Sequence, residues 1–491
     1  MKKSRLEQTF DTAVEHHQAG RIADAEVLYR HVLANQPNHA DALHLLGVLA
    51  AQLDRFDDAI PLISKACVLS PNIADYRTHL GNALSGRKDY PAAIDAYRQA
   101  LRLNPKSEVA HDGLGAALRE IGLVDQAIAS HRQALAIKPN SAVVHYNFGL
   151  TIAKKGALAE AMHCYRQAIA LEPNYAEAHW NLALLQLMLG DFEQGWREYE
   201  WRWRRRNFPS LWPMFPQPRW TGQDISGKTI LIHTEQGYGD AAQFVRYAPL
   251  LAERGAKVIF LCQAPLQRLM KHAQGVAEVF STPADLPPFD VQCPMMSLPL
   301  HFNTRVNTIP ANVPYLRADP DLVQAWAMKL ANNSGRLKVG LGWAGSPTNK
   351  NDQFRSVALQ QLAPLTRAGA TFYSLQKGPA SAQAANPPAG MELIDNTNDL
   401  SDFADTAAMI SQLDLVITVD TAIAHIAGAM GKPAWVLIAS EQDWRWLLKR
   451  DDTPWYPTLR LFRQTTPGQW PDVIERVAGA LAEYRHQSAA A

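Results

Sequence analysis

The sequence predicts an α-helical superhelix followed by an α/β region built as two Rossmann-like lobes. Three observations lead there. In the first two hundred residues, Pro37, Pro71, Pro105, Pro139 and Pro173 stand 34 residues apart, and other columns keep the same step. From Lys228 onward, short apolar runs of strand length alternate with helical stretches. Between these regions, Asn207–Arg219 mixes prolines with Phe208, Trp212 and Phe215. The 491 residues exceed what one core usually holds, so about three domains are expected.

The repeat columns explain the helical half. Ala25, Ala59, Ala93, Ala127 and Ala161 form one column, continued by Gly195. Gly47, Gly81, Gly115 and Gly149 form another, followed by Ala183, and Tyr29, Ile63, Tyr97, His131, Tyr165 and Tyr199 a third. Small residues let two helices of a unit approach, and each Pro stops the second helix. A period of 34 in this arrangement is the tetratricopeptide signature. Six units are expected over residues 5–206. Trp196, Trp201 and Trp203 make the last one aromatic, as a cap docking onto a following domain requires. Residues 207–227 read as a packed connector, because the prolines forbid regular structure and the aromatics favour burial.

A first lobe is expected over 228–325, with strands at Thr229–His233, Lys257–Cys262, Val276–Phe280 and Val291–Cys293 and helices at Ala241–Arg254 and Leu266–His272. A second lobe spans 326–491. Its strands fall at Lys338–Trp343, Thr371–Gln376, Leu393–Asp395, Leu415–Val419 and Ala434–Ile438, and its helices at Leu359–Thr366, Asp402–Ser411, Ala422–Met430 and Pro471–His486.

In such sheets ligands sit at the carboxyl ends of strands. The run Leu415–Val419 turns through Asp420 and Thr421 into the Ala-rich helix from Ala422. A helix start aims free N–H groups at one point, so Thr421 and Ala422 are placed to bind a diphosphate. His425, one turn on, can donate to phosphate or pack as a core histidine. Asp420 fits a cap or a sugar-hydroxyl partner better than a phosphate ligand, since like charges repel. In the loop after Trp343, Lys350 and Arg355 could neutralise a leaving diphosphate, or be ordinary solvated residues. Gln376 is a further nucleotide contact to test, with Lys377 beside it. The aromatic run Gln442–Trp446 with Trp455 and Tyr456 can wall a sugar or cover the junction between lobes. Asp319-Pro-Asp321 spells a DxD metal motif but has no fitting strand, and no metal is expected.

The loop Gln236-Gly237-Tyr238-Gly239-Asp240, leading into a helix, resembles the glycine loop of the ADP-heptose heptosyltransferase family. Asp420-Thr421-Ala422-Ile423-Ala424-His425 resembles that family's C-terminal motif. The resemblance spans roughly Lys228–Ala482 and implies the two-lobed GT-B architecture, with the donor nucleotide sugar in the second lobe. It makes Asp240 the general base, although the position also suits a helix cap. It also implies a basic residue in the loop that holds Lys350 and Arg355, and either fits. Six repeats ahead of such a region are similar in plan to O-linked N-acetylglucosamine transferases, whose concave asparagine ladder holds acceptor backbone. Asn147 and Asn181 stand near the matching column. They fit that ladder or plain helix surface, and the earlier positions are Leu45, His79 and Gly113.

Composition narrows the partners. The net charge of +1 gives no nucleic-acid footprint, and no run approaches the roughly 18 apolar residues of a membrane span. Cys67, Cys164, Cys262 and Cys293 are scattered, and the charged N-terminus lacks a signal-peptide run, so a cytoplasmic protein is expected. The expected activity is an inverting, metal-independent glycosyltransferase with a nucleoside-diphosphate sugar as co-substrate and no cofactor. Its acceptor would be a bacterial protein held by the repeats, such as flagellin. A repeat adaptor with a degenerate transferase region, and a transferase acting on a lipid-linked glycan, are the competing expectations.

Overall fold

The computed structural model describes residues 4–206, 208, 211–331, 336–349 and 351–490, with side chains as far as 486. The chain divides into two compact units, Met1–Leu182 and Ala183–Ala491.

The first unit is a tandem array of helical hairpins. Its helices are α1 (Arg5–Gln18), α2 (Ile22–Asn35), α3 (Ala40–Gln52), α4 (Phe56–Leu69) and α5 (Ala74–Gly86). They continue with α6 (Tyr90–Leu103), α7 (Glu108–Glu120), α8 (Val124–Ile137), α9 (Ala142–Lys154) and α10 (Leu158–Leu171). The second helix of each hairpin ends two residues before a proline of the 34-residue column. Two of the sequence columns meet in space. A Cβ added to Gly47, Gly81, Gly115 or Gly149 would come within 2.5–2.7 Å of Ile63, Tyr97, His131 or Tyr165, so only glycine permits this approach.

Successive first helices are also tied by polar pairs 35 residues apart. Tyr76 donates to Asp41, and the His44 and His79 rings share a 2.7 Å hydrogen bond. Asn147 donates to Asp112 at 2.8 Å, and Asn181 to the Tyr146 hydroxyl at 3.2 Å.

Helix α11 (Ala176–Met188) crosses the division between units, and α12 (Phe192–Tyr199) lies wholly in the second. The expected boundary near residue 206 is therefore too late. The reason is α12's aromatic face. Trp196 meets Trp444 edge-on at 5.2 Å, and Phe192 stacks on Trp455 at 5.9 Å. Trp201 and Trp203 instead pack under the guanidinium groups of Arg204 and Arg202.

The second unit holds two parallel sheets. Strands β1 (Thr229–His233), β2 (Lys257–Leu261), β3 (Glu278–Phe280) and β4 (Val291–Pro294) lie in the order β3-β2-β1-β4. Strands β5 (Lys338–Gly342), β6 (Thr371–Ser374), β7 (Leu393–Ile394), β8 (Leu415–Val419), β9 (Ala434–Ile438) and β10 (Leu459–Arg463) lie in the order β10-β9-β8-β5-β6-β7. The order reverses between β1 and β4 in one sheet and between β5 and β8 in the other. The crevices that bind ligands in open α/β sheets form at such points.

Around the first sheet run α13 (Tyr238–Phe244), α14 (Ala248–Glu253), α15 (Ala264–Met270) and α16 (Leu298–His301), and α17 (Pro320–Lys329) follows between the sheets. Around the second run α18 (Asp352–Arg355), α19 (Phe403–Ser411), α20 (Ala422–Ala429) and α21 (Pro471–Ala490). Val473, Ile474, Val477 and Leu481 of α21 join Leu415, Ile417, Trp435 and Leu437 in the second lobe's core. In the connector, Trp212 and Phe215 pack against Leu231, Ile259 and Leu261.

Several features differ from expectation. The helix over Ala241–Arg254 is broken by a 3₁₀ turn at Val245–Tyr247, because Pro249 cannot continue an α-helix through that turn. Leu359–Ala368 is 3₁₀, with Pro364 inside it. Strand β10 and helix α17 were not anticipated. Asp319 of the DxD motif caps α17, accepting from the amides of Asp321 and Leu322 at 2.9 and 3.1 Å. No helix is long and apolar enough to cross a membrane among the described residues.

Candidate active site

Two loops face each other across the lobes, each springing from a reversal point. The first follows β1. Its root is Glu235, buried and gripped by Arg202 through bonds of 2.7 and 3.1 Å, and by the Met296 amide at 3.0 Å. Arg202 also donates to Ser297 and Glu200. Burial pushes the Glu235 carboxyl above its ordinary range, and Arg202 opposes that shift.

The loop then passes Gln236, whose carbonyl accepts from Gln263 at 2.6 Å, and starts α13. Asp240 sits in the first turn. Its Oδ2 accepts from the Gly237 amide at 2.8 Å, so the residue caps its own helix. Its Oδ1 accepts from Arg445 of the second lobe. Burial raises the Asp240 pKa, while Arg445 pulls it down.

Arg445 is the centre of this junction. It donates to Gln243 at 2.6 Å and to Asp443 at 2.8 Å, and its guanidinium lies 4.5 Å from the Trp444 ring centre. A guanidinium is built to bridge two carboxylates in this way.

The second loop is the turn after β8. Thr421 is the N-cap of α20 in extended conformation, and both Thr421 and Ala422 are partly accessible. The first amides of a helix have no partners within it, so this end favours an anion. Arg355 lies across the turn and donates to the Asp420 carbonyl at 2.8 Å, with Asp352 steadying it at 3.2 Å. Of the two expected basic residues, Arg355 is thus at the turn. Lys350 lies outside the described residues.

The Asp420 carboxyl is pushed up to about 6, by burial and the nearby Asp443, against Trp446, Arg355 and Arg445. His425 is buried, and its pKa falls well below the usual range through burial and the charges of Arg445, Arg246 and Arg355. It is therefore neutral, and its 4.0 Å approach to Asp420 is not an ion pair. His425 Nδ1 shares a 2.9 Å hydrogen bond with the Tyr456 hydroxyl, and its ring stacks on Trp446. When Tyr456 donates, the Nε2–H is left to serve as a donor.

The loops touch at Gly239. A Cβ there would come within 2.7 Å of His425 Cδ2, so the glycine lets the first lobe's loop rest on the second lobe's histidine.

Other expected residues fall differently. Gln376 is engaged with the backbone. Its Oε1 accepts from the amides of Trp343 and Ala344 at 2.9 and 2.8 Å, and its Nε2 donates to the carbonyls of Ala344 and Lys377 at 3.0 and 2.9 Å. All four bonding positions of the amide are used to brace the end of β5. Lys377 donates to the Thr397 carbonyl at 2.8 Å. Trp444, Trp446, Trp455 and Tyr456 are buried, which makes them cover for the junction. Asn147 and Asn181 lie in the repeats, each tied to a preceding repeat.

Arg445, Arg246 and the Arg202–Glu235 pair were not picked out from the sequence. Arg246 is also buried at the junction, donating to the carbonyls of Trp455 and Pro310 and to the Tyr315 hydroxyl. The available signal for Arg445 was its place after β9 between two tryptophans, where a charged residue must have partners.

Comparison with known proteins agrees with this division. Residues 10–72 and 74–107 match tetratricopeptide-repeat models, and 151–190 a TPR-repeat model. Residues 399–447 match the model of glycosyltransferase family 9 (heptosyltransferase). That stretch contains the Asp420–His425 turn and Arg445, and the Asp240 loop lies outside it. Protein FlbA of Caulobacter vibrioides is 29% identical over 329 residues, covering 62% of this chain and 54% of that protein. The chain thus spans about half the length of this curated relative. Similar solved structures include MamA (26% identity, 36% of this chain and 99% of that one, TM-score 0.30). Another is TTC0263, a thermophilic TPR protein in Thermus thermophilus (21%, 37% and 99%, TM-score 0.33). The chain carries tetratricopeptide repeats in its N-terminal region and, in its second lobe, a stretch that matches the glycosyltransferase family 9 model.

Proposed function

We propose that the chain is an inverting glycosyltransferase that moves a sugar from a nucleoside-diphosphate sugar to a hydroxyl of a protein acceptor. The observation that carries this reading is the meeting of the two motif loops at Gly239 and His425, beside the Asp240–Arg445 pair. A carboxylate from one lobe and a helix N-terminus from the other are then held at one junction.

In the proposed reaction the diphosphate lies at the amides of Thr421 and Ala422, with Arg355 alongside. Asp240 accepts the proton of the acceptor hydroxyl. The hydroxyl oxygen bonds to the sugar C1 as the C1–O bond to the diphosphate breaks, and that electron pair leaves on the phosphate oxygen. The charge leaving with the nucleoside diphosphate is stabilised by the helix end, by Arg355 and by a neutral His425 donating from Nε2. This donor set supplies the stabilisation that a metal gives in other transferases. Asp420, with its raised pKa, is suited to a sugar hydroxyl.

The repeats are proposed to recruit the acceptor, with flagellin or another surface protein the first to try. Asn147 and Asn181 are the proposed contacts to acceptor backbone. Deleting residues 1–182 tests the recruiting role: transfer to protein should be lost while nucleotide binding persists. Intact transfer after the deletion would mean that the repeats do not select the acceptor.

One observation favours a second reading. Both Asp240 oxygens already carry donors, as in a region that binds without turnover. Donor turnover measured against a nucleotide-sugar panel separates the two, since an adaptor binds nucleotide without consuming it.

A further inference from the structure

We infer that Arg445 is a donor-binding residue that exchanges partners: its bond to Asp240 gives way to one with the diphosphate when the nucleotide sugar binds. This deepens the donor-site reading above and rests on it.

The argument begins with charge. Arg445 has two carboxylate partners, Asp240 in the first lobe and Asp443 in its own. Its charge also acts on Asp420 and His425, on either side of Thr421 and Ala422. The guanidinium therefore bonds the carboxylate assigned as base while its charge is felt by residues on both sides of the helix end assigned to phosphate. An arriving diphosphate brings more negative charge than a single carboxylate, and its oxygens accept strongly from a guanidinium N–H. Asp443 and the Gln243 side chain hold the other nitrogens, so only the Nη2 bond to Asp240 has to be given up.

The exchange has a consequence at Asp240. With Arg445 on Oδ1, that oxygen is a poor proton acceptor. Once Arg445 turns to phosphate, Oδ1 is left in a buried site with the Gly237 amide still on Oδ2, and its affinity for a proton rises. The base is thus exposed only when a donor is present.

The side chain amide of Gln243 fits this account. Its Oε1 accepts from Arg445, while its Nε2 is buried without a hydrogen-bond partner among the described residues. Leaving a buried donor unpaired is costly. An oxygen brought into the cleft beside Asp240 could satisfy it.

The test is a double-mutant cycle read by calorimetric titration of the full chain with ADP, GDP, UDP, CDP and dTDP. Asp240→Asn should tighten binding of the preferred nucleotide about tenfold, because it removes the competitor for Arg445. Arg445→Met should weaken binding, and Arg445→Lys should recover part of it. In the Arg445→Met background, Asp240→Asn should have no effect. If Asp240→Asn tightens binding equally in both backgrounds, the effect is plain charge repulsion and the exchange is overturned. If nucleotide binds but neither single variant alters affinity, the exchange fails while the donor-site reading stands. If no nucleotide binds the wild type, both fail. Should Asp240→Asn not fold, Asp240→Ser replaces it in the cycle, with the same signs and the same overturning result.

Discussion

Arg445 of the second lobe donates to Asp240 of the first across a sequence separation of 205 residues. The pair joins the residue proposed as base to the loop that follows β9. The Arg445 charge also opposes the rise that burial gives the Asp240 carboxyl.

Asp240→Ala should lower the rate of glycosyl transfer by roughly 10²–10⁴-fold, the range for loss of a general base. Nucleotide binding should survive. Steady-state rates beside calorimetric titration separate these effects, and loss of binding together with activity would instead make Asp240 a structural cap.

Gly239→Ala places a methyl group 2.7 Å from the His425 ring, which Trp446 and Tyr456 hold in place. The ring cannot move aside without breaking those contacts. A cost of about 1–3 kcal/mol in stability is expected, together with loss of transfer. Denaturant unfolding and activity assays check both, and an unchanged midpoint would show that the two loops do not press on each other.

Arg202→Met leaves Glu235 buried beside Glu200 without its cation. About 3–5 kcal/mol of destabilisation is expected, since one partner of a buried pair is removed. Adding Glu235→Gln should return part of it. A double variant as unstable as Arg202→Met alone would mean that packing of the arginine stem, and not its charge, is what matters.

The pH dependence of stability follows from Asp420. Its folded pKa, about 6, lies above the ordinary carboxylate value, so folding favours the protonated form. The stability it contributes is fully present below the unfolded pKa and is lost as pH rises through about 6. Asp420→Asn should therefore raise the melting temperature more at pH ~7.5 than at pH ~5. An equal gain at both values would place the titration elsewhere.

Much of the fold was readable because its signals are local or periodic. The repeat columns record contacts that recur every unit, and the Gly47 series met its partners Ile63, Tyr97, His131 and Tyr165. Strands β1, β8 and β9 came out at their expected bounds because each is a short, nearly unbroken apolar run. β10 was missed because Arg460 and Arg463 interrupt its apolar residues at an edge position. The site was legible only in part. The turn at Thr421 and the Gly237–Asp240 loop are local patterns, while the Arg445–Asp240 pair depends on how two lobes meet. Gln376 looked like a ligand contact because a polar residue after a strand often is one. Only the structure shows its amide fully spent on the backbone of Trp343, Ala344 and Lys377.

The most direct test of the central claim is mass spectrometry of a candidate acceptor, flagellin first, co-expressed with the wild-type chain and with Asp240→Ala. The account predicts a sugar mass on the acceptor with the wild type and none with the variant. The same sugar mass with both would contradict it.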